Sequence, residues 1–159
     1  MVYNLAYRMS NSPHEAEDIS QEAFMRAYQS LACFNPSYKF STWLYQITLN
    51  IIRDRFKKKE LNYVSLDTPV ETDDSEFYPQ PADFTNNPEK IITRQEDVQE
   101  IQQAIYSLPL KYREVLVLRH LQDLSYIEIS NILKLPSGTV KIRLYRAREQ
   151  LRKILAYSV

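Results

Sequence analysis

Between Val140 and Leu155 the chain places Lys141, Arg143, Arg146, Arg148, Arg152 and Lys153 against a single acid, Glu149. Cations at that density on one segment suit the neutralising of a row of phosphates. Gly138, Thr139, Ile142 and Tyr145 fall on one side of this segment with Arg146 and Lys153, and short or apolar side chains there can approach base edges in a groove. Val140, Leu144, Ala147, Leu151 and Leu155 recur at i, i+4, i+7, i+11 and i+15, which gives the same segment a separate apolar side. Ile142 lies off that side and is expected to face water. A merely solvated helix would balance its acids and bases and would not carry an isoleucine there. This segment is expected to bind DNA.

A second constellation joins a flat ring to amides and a guanidinium. Gln46, Asn50, Arg53 and Lys57 form a narrow polar stripe on a helical segment, with Trp43 and Asp54 at its edge. Trp43 and Asn50 are seven residues apart, two helical turns, and so share a side. Just before them, CFNPSYKF (33–40) is a connection rich in aromatics, and Asn35-Pro36 forces it to turn. Stacking for a ring and hydrogen bonds for its edge are what an unpaired base needs. The third set, Asp18, Gln21, Glu22, Met25 and Gln29, follows i, i+3, i+4, i+7 and i+11 opposite an apolar face. A methionine among carboxylates and amides fits a partner-binding surface.

Catalysis has no comparable signature. There is one Gly in the chain, hence no phosphate-binding glycine loop, and no nucleophile–base pair or metal-ligand cluster is visible. Cys33 alone allows no internal disulfide, and with His14 and His120 it makes no zinc site. Cys33 is expected to be a small buried hydrophobe. No cofactor is expected, and the protein is not expected to be an enzyme.

The elements that must position these residues read as helices throughout. Val2, Leu5, Ala6 and Met9 share one face of a first helix. After the break at Asn11-Ser12-Pro13, Ser12 caps a second helix, Pro13 takes its first position, and Glu15 completes a capping box. That helix is expected to bury Ala16, Ala23, Phe24, Ala27 and Leu31. A third helix over Ser41–Lys58 buries Leu44, Ile47, Ile51, Ile52 and Phe56. Near the C-terminus, Glu100–Tyr106 and Lys111–Leu121 precede a helix capped by Ser125 and Glu128, a turn at Lys134–Pro136, and the basic helix. A short helix, a tight turn and a basic helix make a helix-turn-helix.

With 159 residues, 44% of them apolar, the chain can bury one or two small cores. Its neutral net charge hides a segregated pattern. Residues 1–60 carry eight Lys/Arg against six Asp/Glu, residues 61–100 two against ten, and residues 101–159 ten against four. The expected fold is all-α: a helical domain over 1–60, a flexible acidic linker with several prolines over 61–97, and a second helical domain without a wing over 98–159. No apolar run reaches membrane-spanning length and no signal peptide is visible, so a cytoplasmic protein without membrane insertion is expected.

Four stretches, AEDISQEAF (16–24), FSTWLYQITLN (40–50), LPLKYREVLVLRHLQDLSYIEIS (108–130) and GTVKIRLYRAR (138–148), together resemble an extracytoplasmic-function sigma factor of the sigma-70 family. The resemblance covers nearly all of the chain outside the linker. It implies a factor that joins core RNA polymerase, at the β′ clamp and the β flap, recognises a promoter and opens it. On that resemblance, Asp18, Gln21, Glu22 and Met25 would dock on the polymerase. Asn35, Ser37, Lys39 and Trp43 would capture a flipped minus-ten base, with Asn50, Arg53 and Asp54 beside the upstream part of that element. Ser137, Thr139, Lys141, Ile142, Arg143 and Arg146 would enter the minus-thirty-five major groove. An anti-sigma factor is a further expected partner. The resemblance also implies about one more helix's worth of residues ahead of Val2, so either the sequence begins inside that helix or the first domain manages with a shortened one. A stand-alone helix-turn-helix regulator is the competing reading; it would leave FSTWLYQITLN and the Asp18–Met25 face without a purpose.

Overall fold

A computed structural model describes residues 1–64 and 94–157. The described residues are helical nearly throughout, which bears out the all-α expectation, and they fall into two compact units. The stretch expected to be the acidic linker lies for the most part outside the described residues.

In the first unit α1 (Val2–Ser10), α2 (Pro13–Gln29) and α3 (Phe40–Val64) each pack on the other two. Val2, Leu5, Ala6 and Met9 of α1 are buried as their spacing requires. The helix stops because Asn11 adopts a left-handed conformation, φ 55°, which asparagine tolerates better than most residues. Ser12 then caps α2 by accepting the Glu15 N–H at 3.3 Å, with Pro13 in the first turn. The reciprocal half of the expected capping box is missing. The Glu15 carboxylate takes Lys59 Nζ of α3 at 2.5 Å, while the Ser12 N–H is met by Ser10 Oγ at 3.4 Å.

α2 buries Ala16, Ile19, Ala23 and Ala27. Phe24 and Leu31, expected in the core, are 56% and 51% exposed. The reason is a narrow buried stripe: three alanines let both neighbours come close, and a residue one position past Ala23 is turned about 100° away from them. Cys33, expected to be buried, is exposed in a short 3-10 turn, Leu31–Cys33, none of whose residues is buried. α3 is longer than Ser41–Lys58 at both ends. No Gly or Pro interrupts Phe40–Val64, and Lys and Glu are good helix formers, so the charged run extends the helix. Leu44, Tyr45, Leu49, Ile51 and Ile52 are buried, as is Thr48, whose hydroxyl donates to the Leu44 carbonyl at 2.8 Å.

The second unit contains α4 (Arg94–Tyr106) and α5 (Leu110–His120), both packed on α7 (Ser137–Tyr157). A further helix, α6 (Tyr126–Leu133), joins α7 through a tight turn. Residues 112–118 of α5 are buried without interruption, including Arg113 and Glu114. Sequence periodicity gives no hint of those two. The Arg113 guanidinium donates to the carbonyls of Tyr106 and Leu108 and lies 4.4 Å from the Tyr106 ring centre. It thus serves carbonyls left over where α4 ends, where a cation is also favoured by the helix dipole. Burial lowers its pKa to about 10, which still leaves it charged at neutral pH.

Candidate nucleic-acid interface

The helix-turn-helix begins with a complete capping box. Ser125 N donates to Glu128 Oε2 at 3.0 Å, and Glu128 N donates to Ser125 Oγ at 3.2 Å. α6 ends in a left-handed Lys134, φ 54°, and the Leu135 N–H returns to the Ser130 carbonyl at 3.1 Å. Pro136 cannot continue α6, and its carbonyl accepts the Val140 N–H at 3.1 Å to start α7. The turn therefore sits where the residue types place it.

On α7, Val140, Leu144 and Ala147 are buried, while Ser137, Lys141, Ile142, Tyr145 and Arg146 are exposed and Thr139 and Arg143 half-exposed. Ile142 and Tyr145 are 57% and 67% exposed, so an apolar and an aromatic side chain stand among the cations. The spacing puts Tyr145 on this outward face, although it is given no separate role there. Lys141 Nζ and the Arg119 guanidinium lie 5.9 and 5.2 Å from the ring centre of Tyr126. Arg148 reaches the His120 ring nitrogen at 3.0 Å, and Arg152 pairs with Glu149 at 3.1 Å. Among the described residues Arg143 and Arg146 have no ion-pair partner, and a phosphate can take that place. Gly138 is exposed, and a methyl group added there would meet nothing within 4 Å.

In the first unit the Asn35 side chain closes its own turn by accepting the Ser37 N–H at 2.9 Å. Beside the turn, Phe34, Phe40 and Trp43 form a three-ring cluster with centroids 5.2–5.5 Å apart. Phe40 is 46% exposed and Tyr38 64%, so the cluster offers ring surface to solvent, and Lys39 is exposed between them. Asn50 is exposed on α3 and accepts from Arg53 at 3.4 Å. It lines a cleft of about 360 Å³ with Ile47, with Arg26 and Gln29 of α2, and with Ser30 just after that helix. None of Asn35, Ser37, Lys39 and Trp43 lines that cleft. The sequence puts all of these at one corner; the structure gives Asn50 a different set of neighbours.

Of the α2 stripe, Asp18, Gln21 and Met25 are exposed, Met25 by 60%. Glu22 is not a free surface carboxylate. Its side chain is only 32% exposed, with Oε1 2.6 Å from Arg26 Nη2 and Oε2 2.8 Å from Arg55 Nη2. The Arg55 hydrogen bond and the two neighbouring cations hold its carboxyl below the ordinary value, against the opposing effect of burial. Arg26 also reaches Asp54 at 3.8 Å, and a second cleft of about 370 Å³ opens between these groups, Lys57 and Lys58. Arg26 is one helical turn from Glu22, an ion-pair spacing legible in the sequence.

Residues 1–61 match the model of sigma-70 region 2, and residues 98–151 match that of sigma-70 region 4. The chain is 48% identical over 155 residues to the ECF RNA polymerase sigma factor SigW of Bacillus subtilis, covering 97% of this chain and 82% of that protein. It is 33% identical over 156 residues to the RNA polymerase sigma-H factor of Pseudomonas aeruginosa, covering 97% and 80%. Its fold resembles that of the sigma factor RpoE of Bartonella quintana, solved with the anti-sigma factor NepR, with a TM-score of 0.72 at 24% identity over 98% of this chain and 89% of that one. CnrH, solved with the cytosolic domain of CnrY, gives 0.66 at 22% identity over 99% and 82%. The match over residues 1–61 accounts for the part that a stand-alone regulator would leave unexplained. The chain belongs to the sigma-70 family of RNA polymerase sigma factors, in its extracytoplasmic-function branch.

Proposed function

We propose that the protein initiates transcription by docking on core RNA polymerase through the exposed α2 stripe of Asp18, Gln21 and Met25, with Glu22 at its edge. The second unit meets the polymerase at the β flap. α7 enters the minus-thirty-five major groove: Lys141, Arg143 and Arg146 neutralise phosphates, while Ser137, Thr139 and Ile142 approach base edges. The Asn35–Lys39 turn and the ring cluster around Trp43 receive an unpaired minus-ten base, and Asn50, Arg53 and Asp54 lie beside the upstream part of that element. The observation that carries the reading is α7 itself, a helix buried on one side that exposes Ile142 and Tyr145 beside Arg143 and Arg146, which have no ion-pair partner among the described residues. The protein performs no covalent chemistry in this scheme; nucleotide addition belongs to the polymerase.

An anti-sigma factor is a further partner in this proposal, supported by the anti-sigma factor NepR solved with one structural relative and by the exposed Phe24, Met25 and Tyr28. Among the described residues no helix is long and apolar enough to cross a membrane, and we place the protein in the cytoplasm with the chromosome.

Run-off transcription with core polymerase on a library of randomised promoters tests the reading. Transcripts that depend on the protein and share two separated sequence elements are expected. Substitutions at Asn35, Ser37 and Lys39 should lower permanganate reactivity of minus-ten thymines on duplex promoters and spare initiation on pre-melted ones. Wild-type reactivity in those variants would reduce the corner to core packing.

A further inference from the structure

Both oxygens of Glu22 are occupied within the chain, one by Arg26 and the other by Arg55. A basic partner surface that reaches Glu22 must therefore displace one of them. Arg26 is the easier to move: its side chain is 47% exposed against 33% for Arg55, and its other carboxylate, Asp54, is 3.8 Å away. Arg26 also lines the cleft that holds Gln29, Ser30, Ile47 and Asn50. One guanidinium thus stands between a candidate docking carboxylate and a candidate nucleic-acid cleft. We propose that Arg26 is shared by the two faces: it is held on Glu22 and Asp54 in the free chain, and it turns to a DNA phosphate at the Asn50 cleft once a partner cation takes Glu22.

The inference rests on reading α2 as the docking face and Asn50 as facing DNA. It has the parts that linkage between sites requires, namely two arrangements of one side chain and two ligands that favour the same one. Polymerase docking then strengthens the hold on single-stranded DNA, and DNA strengthens docking by the same factor. In the free chain the site is kept weak because Arg26 already has two anionic partners. Arg55 keeps Glu22 in place while Arg26 leaves.

The full chain can be titrated against a labelled, mixed-sequence DNA single strand of about 12 nucleotides, by fluorescence anisotropy over a range of salt. Glu22→Gln mimics the partner by ending the hold on Arg26. It should tighten binding about two- to fivefold, the range set by an exposed ion pair. It should also steepen the logarithmic salt dependence by about 0.7, the mark of one added phosphate contact on a single strand. Both effects should vanish when Arg26→Gln is present as well. Glu17→Gln, the same charge change at an exposed position of α2, should leave the slope as it was. An equal gain without Arg26, an equal slope change from Glu17→Gln, or no measurable binding by Glu22→Gln overturns the proposal. Asn50→Ala separates the two possible failures. If it weakens binding while the gain survives loss of Arg26, the shared arginine is wrong and the minus-ten reading stands. If Asn50→Ala binds as the parent does, both are wrong.

Discussion

Arg146 and Gly138 show how single residues of α7 divide their work. Arg146 is exposed and has no ion-pair partner among the described residues, so Arg146→Ala should not disturb the fold. If its contact is to phosphate, the loss of minus-thirty-five binding should be uniform across promoters and shrink as salt rises. If it reads a base, the loss should depend on sequence, by ~1–3 kcal/mol. Footprints equal to the parent's on every promoter would remove Arg146 from the interface. At Gly138 an added methyl meets nothing inside the protein. Gly138→Ala should therefore raise stability by about 0.5–1 kcal/mol in a urea melt, since it sits in a helix. A simultaneous loss of DNA affinity would mean that the glycine is there to let the backbone approach the duplex. Unchanged affinity would mean that it is not.

At the scale of elements, α5 joins two ionisable residues of opposite significance. His120, at its C-terminal end, lies against Arg148 of α7. Partial desolvation, then Arg148 and Arg119, lower its pKa from the ordinary 6.5, with Asp123 opposing. The folded state thus resists protonation, and its stability should fall as pH drops through 6.5 towards the lowered value. Urea melts at pH 7.5 and 5.5 should show that fall in the parent and a smaller one in His120→Gln; equal falls would clear His120 of any part. Arg113→Met should cost about 2–5 kcal/mol, because it strips the donors from the carbonyls of Tyr106 and Leu108. A melt within 1 kcal/mol of the parent would show that water reaches those carbonyls. Little of this could be read from the chain alone. The caps at Ser12 and Ser125, the break at Pro136 and the apolar sides of α1 and α7 were legible because they are local: neighbours within four residues decide them. Phe24, Leu31 and Cys33 were not, since whether an apolar residue is covered depends on which helix lies beside it. The same holds for Arg113, which follows an apolar pattern only because the end of another helix supplies its partners. Glu22 reads as a surface acid until Arg55, thirty-three residues on, is seen to hold it.

For the molecule as a whole, the division into two units sets how a lesion spreads. The single tryptophan, Trp43, belongs to the first unit, so its fluorescence follows that unit alone. Leu144, 2% exposed in the second unit, should cost about 2–5 kcal/mol when changed to Ala. Far-UV circular dichroism should then show an early melting step that tryptophan fluorescence lacks. Coincident curves would mean that the two units unfold as one. The buried guanidinium of Arg113 has a mechanical consequence as well. α4 is tied at its far end to α5 through Arg113, while both helices pack on α7. Loss of that side chain would thus loosen two helices at once, since both rest on α7.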